Sequence, residues 1–222
     1  MSNLAIFDLD HTLIATDSDR AFTEFLIEQG FLDADEAAAR NEQFYRDYQN
    51  GCLDVHEFVA FQMGAVTNVA RAELDALHPQ FVRDKIAAYI LADAQATVAQ
   101  HRSQGDELLV ISSTNEFIIT PICHLFGITE IIGTALQTDE AGRFNGKIQG
   151  TPSLGEGKIT RLQQWLQTRG KQRSDYGKVV FYSDSKNDLP LLRWANEAVA
   201  VNPDDTLKQE AQQKGWRIEY WR

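Results

Sequence analysis

Several features that define other protein classes are scarce in this sequence. Only two cysteines are present, Cys52 and Cys123, which are too few for a disulfide scaffold and lack the spacing of a zinc cluster. Both are expected to be reduced thiols. Apolar runs such as residues 4–7 and 108–111 fall far short of the roughly 20 residues that cross a bilayer. The sequence therefore argues against a disulfide-rich secreted domain and against a membrane-spanning protein.

Basic residues are also fewer than acidic ones. The chain has 21 Lys and Arg against 32 Asp and Glu, a formal net charge of −11 at pH 7. Without a basic surface, neither nucleic acid nor an anionic membrane is an expected partner. Residues 1–7 lack the basic start of a signal peptide and lead directly into Asp8 and Asp10. We therefore expect a cytoplasmic protein.

The pattern of apolar residues predicts an α/β fold. With 222 residues, of which 43% are hydrophobic, the chain is long enough to bury a substantial core. The run at 4–7 predicts a first buried strand. After Gly105 strands and helices alternate, which is typical of a mostly parallel sheet covered by helices. The predicted later strands are 107–111, 130–136, 178–182 and 198–201, with 217–221 as a possible edge. Predicted helices begin near Asn115, Glu156, Asp188 and Asp204, and turn residues between 137 and 150 predict a small hairpin.

Between the first strand and Gly105 the sequence has helical periodicity. Apolar residues recur at spacings of three and four, with breaks expected at Gly30, at Gly51 and at the His78-Pro79 pair. A longer helix is predicted over 80–104. Because the first strand precedes this stretch and the others follow it, we expect residues 16–79 to be a helical domain inserted into one α/β domain of residues 1–15 and 80–222.

Polar residues follow three of the predicted strands. Asp8 and Asp10 end the first strand, Ser112 and Ser113 end the second, and Ser183 to Asp188 follow the third strong strand. Each group alone has a plain explanation in turn formation or helix capping. Ligands of parallel sheets, however, bind beyond the carboxyl ends of the strands. A binding site is therefore expected at this edge.

The charge at that edge requires compensation. Asp8, Asp10, Asp184 and Asp188 would meet there, and each like-charged pair at about 4 Å costs on the order of 4 kcal/mol at an effective dielectric near 20. An all-oxygen ligand set suits Mg²⁺ better than zinc or copper. With this cation and Lys158, the site becomes compatible with a phosphate group. Lys158 does not belong to a nucleotide-binding P-loop, because Pro152 and Ile159 break that motif.

These motifs resemble those of a known family. Asp8-x-Asp10-x-Thr12, then Ser112, then Lys158, then Asp184-x-x-Asn187-Asp188 are similar to the four motifs of the haloacid dehalogenase superfamily phosphatases. The stretches 181–185 and 188–192 most resemble the phosphoserine phosphatase-like branch, and histidinol-phosphatase-type members are close. The resemblance implies a Rossmann-like parallel-sheet core with an inserted α-helical cap of the C1 type.

The resemblance also implies residue roles. Asp8 would be the nucleophile and Asp10 the general acid and base, with Mg²⁺ held by Asp8, the Asp10 carbonyl, Asp184 and Asp188. Ser112, Ser113, Lys158 and Asn187 would bind the phosphoryl group or the substrate. Asp17 and a cap arginine, Arg46 or Arg40, would recognise the rest of a small phosphorylated amino acid or amino alcohol, either phosphoserine-like or histidinol-phosphate-like.

Two alternatives remain open at this stage. A phosphomutase of the same superfamily would share these motifs and return the phosphoryl group to a second hydroxyl. A receiver-type signalling domain also has an acidic pocket with a phosphoaccepting Asp, a hydroxyl and a Lys. The length of the helical insert and the presence of Asp10 argue against the receiver, because a long-lived phosphoaspartate needs no acid two residues on.

Overall fold

A parallel six-stranded sheet forms the centre of the protein, whose computed structural model describes residues 2–222. The strands are β1 Leu4–Phe7, β2 Glu107–Asn115, β3 Ile131–Thr134, β6 Val179–Ser183, β7 Glu197–Val201 and β8 Arg217–Glu219. They lie in the order β3-β2-β1-β6-β7-β8. The central β1 pairs in parallel with both β2 and β6 and is buried along its whole length. The predicted α/β fold class is confirmed.

Helices cover both faces of the sheet. The α-helices of residues 2–222 are α1 Ser18–Glu28, α2 Ala34–Asn50, α3 Val55–Gly64, α4 Arg71–Phe81, α5 Ala92–Ser103, α6 Glu116–Leu125, α7 Glu156–Thr168, α8 Leu189–Trp194 and α9 Asp205–Lys214. Successive β1 side chains point to opposite faces. Ala5 and Phe7 join an apolar cluster that continues into the helical insert, while Leu4 and Ile6 join a second cluster built on α7, α8 and α9.

The helices α1 to α4 lie between β1 and β2 in the chain, as the periodicity predicted. Asp17, Asp33 and Asp54 accept hydrogen bonds from second or third amides in the first turns of α1, α2 and α3, which is why these helices begin where they do. Gly51 ends α2 in the left-handed conformation at φ 73°. The domain boundaries at residues 16 and 79 stay a prediction.

The single helix predicted over 80–104 is wrong. Pro79 lies inside α4, which continues to Phe81, and a π-helical turn Val82–Ile86 and a 3₁₀ turn Ala87–Tyr89 follow. The main chain then leaves the helix to bond with the segment after β1: the Ala15 amide donates to the Tyr89 carbonyl at 2.7 Å, and Ile14 forms a β-bridge with Ile90. These long-range bonds replace the helical ones, so α5 starts only at Ala92.

A small antiparallel hairpin connects the sheet to the insert. Its strands are β4 Leu136–Thr138 and β5 Phe144–Ile148, so the strand predicted over 130–136 is in fact β3 followed by a separate β4. Gly146, at φ 75°, faces the Gly64 main chain of α3, where an added Cβ would lie 3.6 Å from the Gly64 Cα. The hairpin therefore packs closely on the insert.

Within residues 2–222, no helix has both the length and the apolar character needed to cross a bilayer.

Candidate active site

A buried ion pair lies at the carboxyl edge of the sheet. Asp8 follows β1 directly and is 4% exposed. The Lys158 ammonium lies 3.1 Å from Asp8 Oδ1 and 2.7 Å from both carboxylate oxygens of Asp188. The Ser183 hydroxyl donates to Asp188 at 2.7 Å. Elements distant in sequence therefore bring a lysine between two carboxylates.

Lys158 reaches this position because of the turn before α7. Gly155 has φ 56°, and Gly157 passes so close to Pro152 that a Cβ on it would lie 2.0 Å from the Pro152 carbonyl oxygen. The first turn of α7 thus begins deep in the site and buries its lysine. Burial alone would lower the pKa of Lys158, but the Asp188 and Asp8 carboxylates raise it above its usual value. The lysine is therefore a permanent cation.

Opposing effects act on the pKa of the Asp8 carboxyl group. Burial raises its pKa to about 7, Asp188 and Asp10 add to that rise, and Lys158 opposes it. One carboxylate oxygen, Oδ1, is held by the lysine. That contact fixes the orientation of the carboxylate at the strand end.

The Asp10 side chain turns away from Lys158 toward the helical insert. Its Oδ1 accepts a hydrogen bond from the Ser18 amide at the start of α1, at 2.8 Å. Its Oδ2 accepts from the Thr114 hydroxyl at 2.9 Å. Burial and the nearby Asp17 raise its pKa to about 7, while the bonds from Ser18 and Thr114 oppose the rise. Asp10 is thus a carboxyl group poised to exchange a proton near neutral pH.

Thr114 also contacts a second carboxylate. Its hydroxyl lies 2.8 Å from Asp19 Oδ2 as well as 2.9 Å from Asp10 Oδ2. A hydroxyl has one hydrogen and donates to one acceptor, so the other contact requires a proton on a carboxyl group. Burial, with Asp17 and Asp10 nearby, raises the pKa of Asp19 well above its usual value. The three side chains therefore share at least one carboxyl proton.

Asp184 completes the acidic edge. Its Oδ1 accepts from the Thr12 hydroxyl at 3.1 Å. Burial, followed by the Asp8 and Asp188 charges, raises its pKa well above the usual value. Burial and mutual repulsion make the ionised carboxylates at this edge unfavourable. A bound cation would stabilise their ionised forms.

The Mg²⁺ ligands predicted from the sequence, which are the Asp8, Asp184 and Asp188 carboxylates and the Asp10 carbonyl, stay a prediction. Among residues 2–222 no group of three or more His, Cys, Asp or Glu side chains is arranged to hold a metal ion. Asp188 is engaged by Lys158 and Ser183, and the Asp10 carboxylate points to Ser18 and Thr114. Asp8 and Asp184 remain, and two carboxylates completed by carbonyl, water and phosphate oxygens are the set that Mg²⁺ uses. The residues present fit that ion.

A narrow cavity of about 60 Å³ extends from this edge under the helical insert. Its acidic lining is Asp10, Asp17, Asp19 and Asp184. Its aromatic lining is Phe44, Tyr45, Tyr48 and Phe58, all from α2 and α3. Arg20 is the one lysine or arginine among the described residues that line it. The cavity is thus acidic and aromatic.

Comparison with known proteins decides the family. A profile of the haloacid dehalogenase-like hydrolases matches residues 5–193. The chain belongs to the haloacid dehalogenase-like hydrolases. It is 57% identical over 218 residues to a histidinol-phosphatase of Neisseria meningitidis serogroup C, covering 98% of each chain. It is a phosphatase of this family.

Solved structures share the fold of this chain. A protein of unknown function from Bordetella pertussis superposes with a TM-score of 0.92 at 37% identity, covering 99% of each chain. A substrate-bound phosphoserine phosphatase superposes with a TM-score of 0.67 at 15% identity, over 99% of this chain and 93% of that one. At that identity the second likeness concerns the fold alone.

Most of the predicted site residues of this hydrolase come together. Asp8, Asp184, Asp188 and Lys158 share the acidic edge, and Ser112 is buried in the neighbouring strand β2, where its hydroxyl accepts from the Thr114 amide at 3.2 Å. Ser113 and Asp17 line the cavity. The Asn187 side chain donates to the Tyr48 carbonyl of α2 at 3.2 Å, so it contacts the insert rather than Lys158.

The two cap arginines do not line the cavity, so the expectation for Arg46 and for Arg40 is wrong. Arg46 is half-exposed and bonds Gln43 and Glu42 on its own helix. Arg40 pairs with Glu57 at 2.7 Å. Arg40 lies on the same face of α2 as Phe44, and its guanidinium packs over the Phe44 and Phe61 rings outside the cavity lining.

Three residues at the site were missed by the sequence analysis. Thr114 had a usable signal, because alternate residues in a strand face the same side and Ser112 was already a candidate. Tyr48 lies four residues after Phe44, on the same helix face, and that spacing was taken only as an apolar stripe. Asp19 had no distinguishing signal beside Asp17.

Proposed function

We propose that this protein hydrolyses histidinol phosphate or a closely similar phosphorylated amino alcohol, through an aspartyl-phosphate on Asp8. The observation that carries the proposal is the acidic, aromatic cavity that Asp10 and Asp184 line. The 57% identity to a histidinol-phosphatase supports it independently. By the same relationship, we propose a cytoplasmic location.

The cavity charge favours an amine without a carboxylate. A bound ammonium or imidazolium group favours the ionised form of Asp19, so Asp17 and Asp19 together hold such a cation and would repel the carboxylate of phosphoserine. Arg20 offers little to such a carboxylate, since it already pairs with Glu24 and Glu42 and lies over the Tyr45 ring. The rings of Phe44 and Phe58 suit an imidazole, which stacks on aromatic faces.

In the first chemical step, Asp8 attacks phosphorus with the carboxylate oxygen that Lys158 does not hold. The phosphorus–oxygen bond to the substrate breaks as the aspartyl-phosphate forms. Asp10 donates its proton to the departing alkoxide, which leaves as the free alcohol. The Thr114 contact holds the Asp10 carboxyl in place for this transfer.

In the second step, water replaces Asp8 on phosphorus. Asp10, now ionised, accepts a proton from that water as it attacks, which regenerates both side chains and releases inorganic phosphate. Lys158 and Ser112 stabilise the phosphoryl oxygens in both steps by charge and hydrogen bonding. A Mg²⁺ held by Asp8 and Asp184 with the Asp10 carbonyl would neutralise phosphate charge and orient the phosphoryl group.

The test is phosphate release from a panel of substrates with Mg²⁺ or EDTA. Histidinol phosphate should be the best substrate, ahead of phosphoserine, phosphoethanolamine and an aryl phosphate. Asp8→Asn should abolish turnover of every compound. Asp19→Asn should lower kcat/KM for histidinol phosphate about 10- to 100-fold more than for the aryl phosphate, because a charge-assisted contact to the amine is lost.

Asp35→Asn is the matched control, since Asp35 is an exposed acid in the first turn of α2. It should leave the substrate order unchanged. A preference for phosphoserine would assign the other substrate class, and transfer of phosphate to a second hydroxyl without release would assign a phosphomutase.

A further inference from the structure

One buried carboxamide interrupts the aromatic face that α2 turns toward the cavity. Four residues at helical spacings of three and four line the cavity from this face: Asn41, Phe44, Tyr45 and Tyr48. Three of them are aromatic, whereas Asn41 is polar although it is only 8% exposed. A polar side chain buried to this extent needs a hydrogen-bond partner.

The α2 helix itself gives no reason for an asparagine at this position. Among residues 2–222, the hydrogen bonds of the α2 side chains are formed by Arg40, Gln43, Arg46 and Asp47, and none of them includes Asn41. Asn41 lies in the middle of the helix, too far from either end to cap it, and asparagine is a poorer helix former than alanine. The carboxamide is thus left for a molecule bound in the cavity.

The other carboxamide in the cavity lining is already engaged by the protein. Asn115 is 2% exposed, and its Oδ1 accepts from the Ile118 amide at 3.2 Å while its Nδ2 donates to Gln62 at 3.2 Å. These bonds hold the Asn115 side chain in the cavity wall. Of the two, Asn41 is therefore the one that can present both a donor and an acceptor to a ligand.

The start of α1, which carries the acid proposed to hold the amine, lies beside this part of α2. Arg20 of α1 pairs with Glu42, the residue after Asn41, at 3.8 Å. Asp19 lines the same cavity, and its Oδ1 is buried without a hydrogen-bond partner. A ligand in the cavity therefore meets an acid that suits a cation and, near it, a carboxamide that suits a neutral polar group.

An imidazole ring matches the carboxamide and the aromatic rings next to it. A neutral imidazole has one N–H donor and one nitrogen acceptor, and a carboxamide can bond to either. Phe44 and Phe58, whose ring centroids are 5.3 Å apart, supply aromatic surface in the same lining. We propose that the Asn41 carboxamide forms a hydrogen bond with the imidazole ring of histidinol phosphate, and that α2 thereby selects a nitrogen heterocycle over a phenyl or alkyl group. This inference rests on the proposed function and names the residue that recognises the ring.

The test compares two substrates that differ in this ring. Histidinol phosphate and phenylalaninol phosphate share the amine and the phosphate ester, but the phenyl ring has no hydrogen-bonding nitrogen. Asn41→Leu keeps the branched shape of the side chain and removes its donor and acceptor. We expect kcat/KM for histidinol phosphate to fall about 10- to 100-fold, while that for phenylalaninol phosphate stays constant or rises. The preference for the imidazole substrate should therefore be largely lost.

Gln43→Leu is the matched control, because Gln43 carries an exposed carboxamide on the same helix but outside the cavity lining. It should keep the wild-type ratio of the two substrates. Asn41→Ala is a second variant that removes the amide with a better helix former, and it should shift the ratio in the same direction as Asn41→Leu. The Tm of both Asn41 variants should be unchanged or higher, since neither loses a hydrogen bond within the protein.

Three outcomes would count against the ring contact. If Asn41→Leu and Asn41→Ala keep the wild-type substrate ratio, the contact is refuted and the proposed substrate stands. An equal loss on both substrates would also refute it, because it would mean that Asn41 only shapes the insert. A wild type that cleaves an aryl phosphate but not histidinol phosphate would refute the proposed substrate, and the ring contact with it.

Discussion

A single hydroxyl between two carboxyl groups is the most constrained contact at the residue scale. Thr114 lies within 2.9 Å of Asp10 and 2.8 Å of Asp19, and it joins the proposed acid to the cavity wall. Asp10 is also held by the first amide of α1. The orientation of the general acid therefore depends on both the sheet and the insert.

Replacing this hydroxyl tests that dependence. Thr114→Val keeps the shape and removes the donor, so kcat should fall about 10-fold or more while two buried carboxyls lose their shared partner. Thr114→Ser retains the hydroxyl and should retain most of the activity. Steady-state kinetics on an aryl phosphate compare the two. Equal activity of the valine and serine variants would show that the contact does not orient Asp10.

At this scale, the sequence predicts the residues at strand ends better than those on the insert. Asp8 and Asp184 follow β1 and β6 as predicted, because a strand end can be recognised locally, whereas Ser112 lies inside β2, which continues past the predicted end at residue 111 to Asn115. Arg46 was misplaced and Tyr48 was missed, because the face that a helix presents to the site depends on packing. For α2 that packing is the contact of Phe44 with Phe58, between helices joined only by a turn.

At the scale of elements, the start of α7 decides where the catalytic lysine lies. Gly157 precedes Lys158 and contacts the Pro152 carbonyl so closely that no side chain fits. The loop from Thr151 to Gly155 and the first helical turn are therefore packed backbone against backbone. The position of Lys158 therefore depends on the same close packing that stabilises this turn.

Gly157→Ala should lower the free energy of unfolding and also displace Lys158. A Cβ 2.0 Å from the Pro152 oxygen forces the backbone to move, which should cost about 2–4 kcal/mol of unfolding free energy and displace Lys158 from Asp8. Urea unfolding and kcat would be measured together. Gly64→Ala is the control, because a Cβ at Gly64 in α3 meets nothing within 4 Å and should be neutral or slightly stabilising. A Gly157→Ala protein as stable as Gly64→Ala would contradict the close packing.

Element boundaries followed from the sequence where the signal was local. The capping residues Asn115 and Asp204 marked the starts of α6 and α9 correctly. The break between α4 and α5 was not foreseen, because apolar spacing continues through it. What ends the helix is the bonding of Tyr89 and Ile90 to residues 14 and 15, which are remote in sequence.

At the scale of the whole molecule, negative charge is the dominant feature. The net charge is −11, and the most crowded carboxyls lie together at the sheet edge. In the metal-free protein, Asp8 and Asp10 have pKa values of about 7, against 3.8 for an unperturbed Asp. Folding therefore favours their protonated forms.

The stability of the metal-free protein should fall as pH rises. Between about pH 4 and 7 the folded state holds protons that the unfolded chain has released, so the free energy of unfolding decreases through this window. With EDTA, Tm should be higher at pH 5 than at pH 7.5. Mg²⁺ should raise Tm mainly at pH 7.5, because it replaces protons on the carboxylates. Asp8→Asn should weaken both trends, and a metal-free protein more stable at pH 7.5 would refute the assignment.

The position of the insert has a consequence for how the chain acquires its structure. Leu4 of β1 pairs with Glu107 on one side and with Val179 on the other. The strand that precedes Asp8 can therefore be fully paired only after residues up to β6 have been synthesised. The helices of the insert are synthesised before β2 and β6, and α3 also waits for β5, on which it packs. The nucleophile is thus translated before both strands that flank it, and a chain that ends before β6 has no assembled active site.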